Sequence, residues 1–253
     1  MGTKTEKHGN VTMSDGNETS RCRVPVTDGE SIRAVHHRGS SDRWLVFCHG
    51  FLGDMSGSYE RRCRRAVEEG YHAVRFDFRG CGEADGAFVD QTLTDKLADL
   101  NAVLSHFEAD RCALFGSSFG GKVAFHAAVG DSRVAAVAAR APVTYNRSFE
   151  GYRETVERAG VCEFEDGRRI DGRFFADLDG HRFADVVAGL EVPVAIFHGA
   201  RDESVRVADS FEAARALGTD VLLAKFDAEG HVFSAAAERR MRAQTFAWLA
   251  SVW

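Results

Sequence analysis

Short, nearly unbroken apolar runs alternate along this chain with segments of helical periodicity, and no other feature limits the possible folds as much. Residues 44–48 read Trp-Leu-Val-Phe-Cys. A run without polar alternation is a strand covered on both faces. Residues 59–69 follow with helical spacing and end at Gly70, a C-terminal cap. The cycle then repeats. Strands are expected at 71–78, 112–115, 134–141, 192–197 and 221–226, and helices at 92–107, 118–129, 204–217 and 235–249. In 92–107, Leu93, Leu97, Leu100 and Leu104 share one face. Strands joined through helices are parallel neighbours linked by right-handed crossovers. The expectation is an α/β fold with a mostly parallel central sheet flanked by helices. Ahead of it, residues 21–27 and 31–37 read as a hairpin around an Asp28-Gly29 turn.

Two stretches break the rhythm. Residues 1–20 are polar, rich in Thr, Gly, Asn and charge, and read as a flexible N-terminal tail. Residues 144–190 are too long for an ordinary connection and carry Tyr145, Phe149, Tyr152, Phe164, Phe174, Phe175 and Phe183 among many charges. They are expected to form a small helical insertion within a single domain over 21–253. Most of its rings should pack in a core and some should roof a pocket. Glu150, Glu154, Glu157, Glu163 and Glu165 place carboxylates there that could hold a peptide's amino terminus. Arg61, Arg62, Arg64 and Arg65 read as a solvated helix face, balanced by Glu60, Glu68 and Glu69.

Composition narrows the function classes. With 253 residues, 44% hydrophobic and 28% charged, the chain is globular in character. A formal charge of -6 argues against a nucleic-acid partner. No apolar run approaches the roughly 18 residues of a membrane helix; residues 134–143 are interrupted by Arg140 and Pro142. The six cysteines form no Cys-x-x-Cys pair and no zinc-spaced cluster with histidine. With no signal-peptide pattern at the start, a reducing cytoplasm is expected.

Chemistry concentrates at Gly116-Ser117-Ser118-Phe119-Gly120, between an expected strand and an expected helix. That placement suits a sharp, strained turn that lifts the Ser118 hydroxyl above the sheet edge, with glycines where side chains would clash. A serine hydroxyl needs a base. Among the ten histidines, His231 follows the last expected strand, which puts it at the same sheet edge. His49 and His198 also end strands. Asp202, after the strand that ends at His198, is the natural acid to orient His231; Glu203 is the alternative, and Asp202 could instead cap the helix near Ser204. An oxyanion hole needs two backbone donors, and the N–H groups of Phe51 and Phe119 stand in the right places. The overlapping Gly116…Gly121-Lys122 pattern fails as a phosphate-binding loop because Val123 stands where Ser or Thr must hold magnesium.

These pieces resemble the α/β-hydrolase superfamily. The resemblance rests on His49-Gly50-Phe51, the Asp77 to Gly82 turn, the Gly116 to Gly120 elbow, the His198 to Asp202 loop and Gly230-His231, in that order. Within the superfamily the chain is similar to feruloyl (cinnamoyl) esterases, then to serine aminopeptidase and prolyl-oligopeptidase-like hydrolases. The resemblance implies an α/β-hydrolase fold with 144–190 as a cap. It implies Ser118, Asp202 and His231 as a triad, Phe51 and Phe119 as oxyanion donors, and no metal or other cofactor. The expected activity is serine hydrolysis of a carboxylic ester with an apolar or aromatic acyl group. A peptidase and a thioesterase are the alternatives, with a non-catalytic scaffold behind them. The expected partner is a small-molecule ester or short peptide, with neither nucleic acid nor membrane; the oligomeric state stays open.

Overall fold

The computed structural model describes residues 10–14, 17–27 and 29–253. Strands β1 (Asn10–Ser14), β2 (Asn17–Thr27) and β3 (Glu30–His37) come first. Then follow β4 (Trp44–Cys48), α1 (Ser58–Glu68), β5 (His72–Phe76), α2 (Leu93–His106), β6 (Cys112–Ser117), α3 (Phe119–Gly130) and β7 (Val134–Arg140). The long connection holds α4 (Glu150–Ala159), β8 (Val161–Glu163), β9 (Arg169–Asp171), α5 (Gly172–Asp179) and α6 (Phe183–Gly189). The chain closes with β10 (Val194–Gly199), α7 (Val207–Ala216), β11 (Val221–Phe226) and α8 (Ala235–Val252).

Among the described residues, one nine-stranded sheet runs β1-β2-β3-β5-β4-β6-β7-β10-β11. The first three strands are antiparallel to their neighbours, and β5, β4, β6, β7, β10 and β11 are parallel to one another. The continuous apolar runs are explained by two buried faces. In β4, Val46 and Cys48 join one hydrophobic cluster while Leu45 and Phe47 join the other. β6 divides the same way, Cys112 and Leu114 against Ala113 and Phe115. From β4 the chain passes first to β5 on one side and later to β6 on the other. Such a reversal opens a crevice at the carboxyl ends of the strands on either side. Here those ends are His49-Gly50 and Ser117-Ser118.

Three expectations need correction. Of the supposed tail, residues 1–9 lie outside the described residues, but 10–14 and 17–20 are strand. Their polar composition is compatible with an edge position, where backbone pairing (Asn10 with Arg21 through Ser14 with Asn17) rather than apolar burial defines the strand. Asp28 lies outside the described residues, and Gly29 takes φ 86° as a tight turn requires.

The inserted stretch is not purely helical. β8 and β9 form an antiparallel hairpin around Asp166-Gly167, with Gly167 at φ 81°. Nor is Arg62 on a solvated face. Tyr59, Arg62, Cys63 and Ala66 make the buried stripe of α1. Arg62, 2% exposed, donates from Nη2 to Glu238 on α8 at 2.5 Å and from Nη1 to Ser117 Oγ at 3.1 Å. Its guanidinium lies over the rings of Tyr59 and Phe115.

The insertion is fastened to α2 and to the loop after β4. Asp177 of α5 accepts from the N–H groups of Leu93 and Thr94, unpaired donors of the first turn of α2. Phe51 packs its ring against Phe88, Phe119, Phe149, Phe164 and Phe174, at centroid distances from 5.0 to 5.8 Å. Arg168, beside the hairpin turn, donates from Nη2 to the Leu52 carbonyl at 2.6 Å.

Candidate active site

The turn between β6 and α3 leaves no room for side chains. A Cβ on Gly116 would stand 2.3 Å from the Gly120 carbonyl oxygen, and one on Gly120 would stand 2.3 Å from the Cys48 oxygen. The glycines are therefore required by packing. Ser118 takes φ 54° and ψ -119°, a conformation that L side chains avoid and that costs about 1–3 kcal/mol. Hydrogen bonds hold it there: Ser118 N–H donates to Arg140 O at 2.9 Å, and Ser118 O accepts from Gly121 and Val143 N–H, each at 3.0 Å.

The loop after β4 lies against this turn. Gly50 is close enough that a Cβ there would come within 3.3 Å of Ser118 Cβ. His49 shapes the loop. Phe78 N–H donates to its Nε2 at 3.0 Å, so the proton sits on Nδ1, which donates to Gly50 O at 2.8 Å. Burial lowers the His49 pKa to about 3, keeping the ring neutral. His49 is thus a structural histidine. Phe51 lines the cavity. Phe119 is buried, but as the first residue of α3 it has a main-chain N–H with no partner inside the helix.

Asp202 lies beside His231 and does not cap α7; its two oxygens have different partners. Oδ1 accepts from the N–H groups of Ser204 and Val205, each at 2.8 Å. These bonds close a turn ahead of the helix; α7 begins at Val207, with Arg206 at its N-cap position and no side-chain cap. Oδ2 faces His231 Nδ1 at 2.8 Å and His198 Nε2 at 3.1 Å. His198, fully buried, is oriented by Ser210 Oγ at 2.7 Å from Nδ1. Burial pushes the Asp202 pKa up, but the hydrogen bonds from His198, His231 and Val205 outweigh it and hold the carboxyl well below its ordinary value. Glu203, the alternative acid, is exposed.

Ser118 and His231 line one cavity of about 910 Å³. Its other walls include Phe51, Leu52, Tyr59, Arg140, Val143 and Phe149. Of the aromatic residues noted in the insertion, Phe149 and Tyr152 reach it; Phe174, Phe175 and Phe183 are buried in the core. None of the five insertion glutamates is in its lining, and all are exposed. Arg140 and His198 were not recognised as site residues from sequence. For Arg140 the signal was present: a charge that ends an otherwise apolar strand.

A family model for the alpha/beta hydrolase fold matches residues 43–211, more than half of the chain. The palmitoyl-protein thioesterase ABHD10 of Homo sapiens is 26% identical over 196 residues, covering 70% of this chain and 63% of that protein. The Pongo abelii protein of the same name is 27% identical with the same coverage. The match therefore spans 63% of the length of these relatives. Mouse alpha/beta hydrolase domain-containing protein 10 superposes with a TM-score of 0.81 at 21% identity, over 92% of this chain and 100% of that one. Est1E from Butyrivibrio proteoclasticus, bound to ferulic acid, superposes at 0.79 with 20% identity, over 90% and 99%. The family match runs from β4 into α7, the part of the sheet that carries both the Ser118 turn and the Asp202 loop, and the chain belongs to the alpha/beta hydrolase fold family.

Proposed function

We propose that this chain is a serine hydrolase that cleaves carboxylic esters with an apolar or aromatic acyl group. The observation that carries this reading is the buried Asp202 carboxylate, 2.8 Å from Nδ1 of a histidine that shares its cavity with a strained serine. In the proposed mechanism Ser118 Oγ attacks the carbonyl carbon while His231 Nε2 takes the proton. Asp202 keeps the other His231 proton on Nδ1 and stabilises the imidazolium that forms. The Phe51 and Phe119 N–H groups bind the tetrahedral oxyanion. His231 then protonates the leaving group, and water repeats the sequence on the acyl-enzyme.

The apolar acyl preference follows from Phe51, Leu52, Val143, Phe149 and Tyr152 in the cavity wall. A thioester is the second substrate class, favoured by the name of the thioesterase relatives. A peptidase is less well supported, because the glutamates expected to hold an amino terminus stand outside the cavity lining. We place the protein in the cytoplasm because its cysteines are free thiols, although the relatives are named as mitochondrial. Among the described residues no helix is long and apolar enough to cross a membrane.

The test is covalent labelling by a fluorophosphonate probe. Wild type is expected to label and Ser118→Ala to lose the label entirely. A folded wild type that stays unlabelled would sink the serine-hydrolase reading. On a panel of para-nitrophenyl esters, acyl groups longer than acetyl should be preferred; acetate winning clearly would remove the acyl assignment.

A further inference from the structure

The cavity has a second chemical character besides its apolar lining. Tyr59, Arg140, Glu203 and Ser204 bring polar groups to it. Arg140 is the unusual member. Among the described residues its guanidinium has no ion pair. Its Nε is buried without a partner, and the side chain's one hydrogen bond runs from Nη1 to the main-chain oxygen of His231. The two buried carboxylates nearby are bonded to other groups. Glu238 is bound to Arg62, and Asp202 is shared by two histidines. Arg62 acts on Arg140 with a like charge, and Glu238 and Asp202 act on it with opposite charges. A guanidinium stays protonated, and this partly buried one is offset by Glu238 and Asp202 only through space, with no carboxylate bonded to it. An anionic ligand group would supply that bond.

We infer that Arg140 is a subsite for a carboxylate carried on the leaving-group half of the substrate. This rests on the serine-hydrolase reading above. The side is set by the hydrogen bond to the His231 main chain, because His231 is the group that hands a proton to the leaving group. The apolar part of the lining, by contrast, includes Phe51, the proposed oxyanion donor. The charge is set by number: the cavity lining holds one Arg, no Lys and one carboxylate, the exposed Glu203, so it can compensate little negative charge. One guanidinium balances a carboxylate, whereas a phosphate dianion would be left half compensated. The hydrogen bond to His231 O also pre-orients the guanidinium, so less freedom is lost when the anion arrives.

The experiment compares para-nitrophenyl butyrate with its ring-carboxylated and ring-phosphorylated counterparts. The reading is the ratio of kcat/KM for each anionic ester to that for the neutral one, which cancels any general effect of a variant on His231. In Arg140→Leu and Arg140→Gln the carboxylate ratio is expected to fall about tenfold or more, with part of it restored in Arg140→Lys. An unchanged ratio overturns the subsite, as does a wild type that prefers the phosphorylated ester. Ser118→Ala separates the two claims. If it retains hydrolysis of all three esters, the serine reading fails; if it is inactive while the ratio ignores residue 140, only the subsite fails. Calorimetry with Ser118→Ala reads binding without turnover. The carboxylated ester should bind Ser118→Ala about tenfold more tightly than it binds the variant that also carries Arg140→Leu, and equal affinities overturn the proposal even if wild type hydrolyses none of the esters.

Discussion

The turn that carries Ser118 and the loop that carries Asp202 stand at strand ends on either side of β7, yet opposite means hold them. The serine is positioned by its backbone. Glycines bring main-chain atoms so close that an added Cβ would overlap, and hydrogen bonds hold the strained φ. The aspartate is positioned through its side chain, with two N–H donors on one oxygen and two histidines on the other. A backbone device fails when one atom is added. A side-chain network weakens by steps as partners are removed.

The largest test of that contrast is Asp202→Asn. The amide still fills the space but disturbs the tautomer of His231, so kcat is expected to fall about 10⁴-fold with the fold intact at neutral pH. Stability carries a second signature. The folded-state pKa of Asp202 lies below its unfolded value, so its contribution is present above about pH 4 and is lost as pH falls through the folded value. Denaturant titrations of wild type and Asp202→Asn should therefore differ at pH 7 and converge in acid; divergence in acid would contradict the hydrogen-bond account.

Gly120→Ala comes next. Its Cβ would meet a main-chain oxygen, not a flexible side-chain end. A loss of about 3 kcal/mol, or failure to fold, is expected in urea denaturation. A variant as stable as wild type would remove the packing explanation of the elbow. The smallest effect is expected from His198→Gln, which takes away one of several bonds on Asp202. There kcat should fall about tenfold with KM unchanged; a change in KM alone would show that His198 shapes the cavity instead of holding the acid.

The parts of the site legible in the sequence are those whose chemistry leaves a local mark. The spacing around Ser118 is visible because the clash is between residues close in the chain or at a fixed strand end. Asp202 and His231 are visible because each follows a buried apolar run. The β8–β9 hairpin left its mark in Asp166-Gly167, which went unread among the charges around it. Arg62 left one too: it falls in register with Tyr59, Cys63 and Ala66. Its charge hid that register, because its partner Glu238 is far away in sequence. The polar strand β1 shows the converse, since backbone pairing requires no apolar pattern.

By itself, the sequence determined the alternation of buried strands and helices, the order of the strand-end motifs and the identity of the serine, acid and base candidates. Those properties depend on side-chain period, on glycine placement and on which residue follows a buried strand, and all are local. Only the tertiary structure decided that Asp202 serves two histidines at once, that the rings at 149 and 152 reach the cavity while those at 174, 175 and 183 do not, and that among the described residues Arg62 has an ion pair while Arg140 has none. Each of these depends on which distant charges and rings packing brings together, and a buried charge takes its role from the partner it meets.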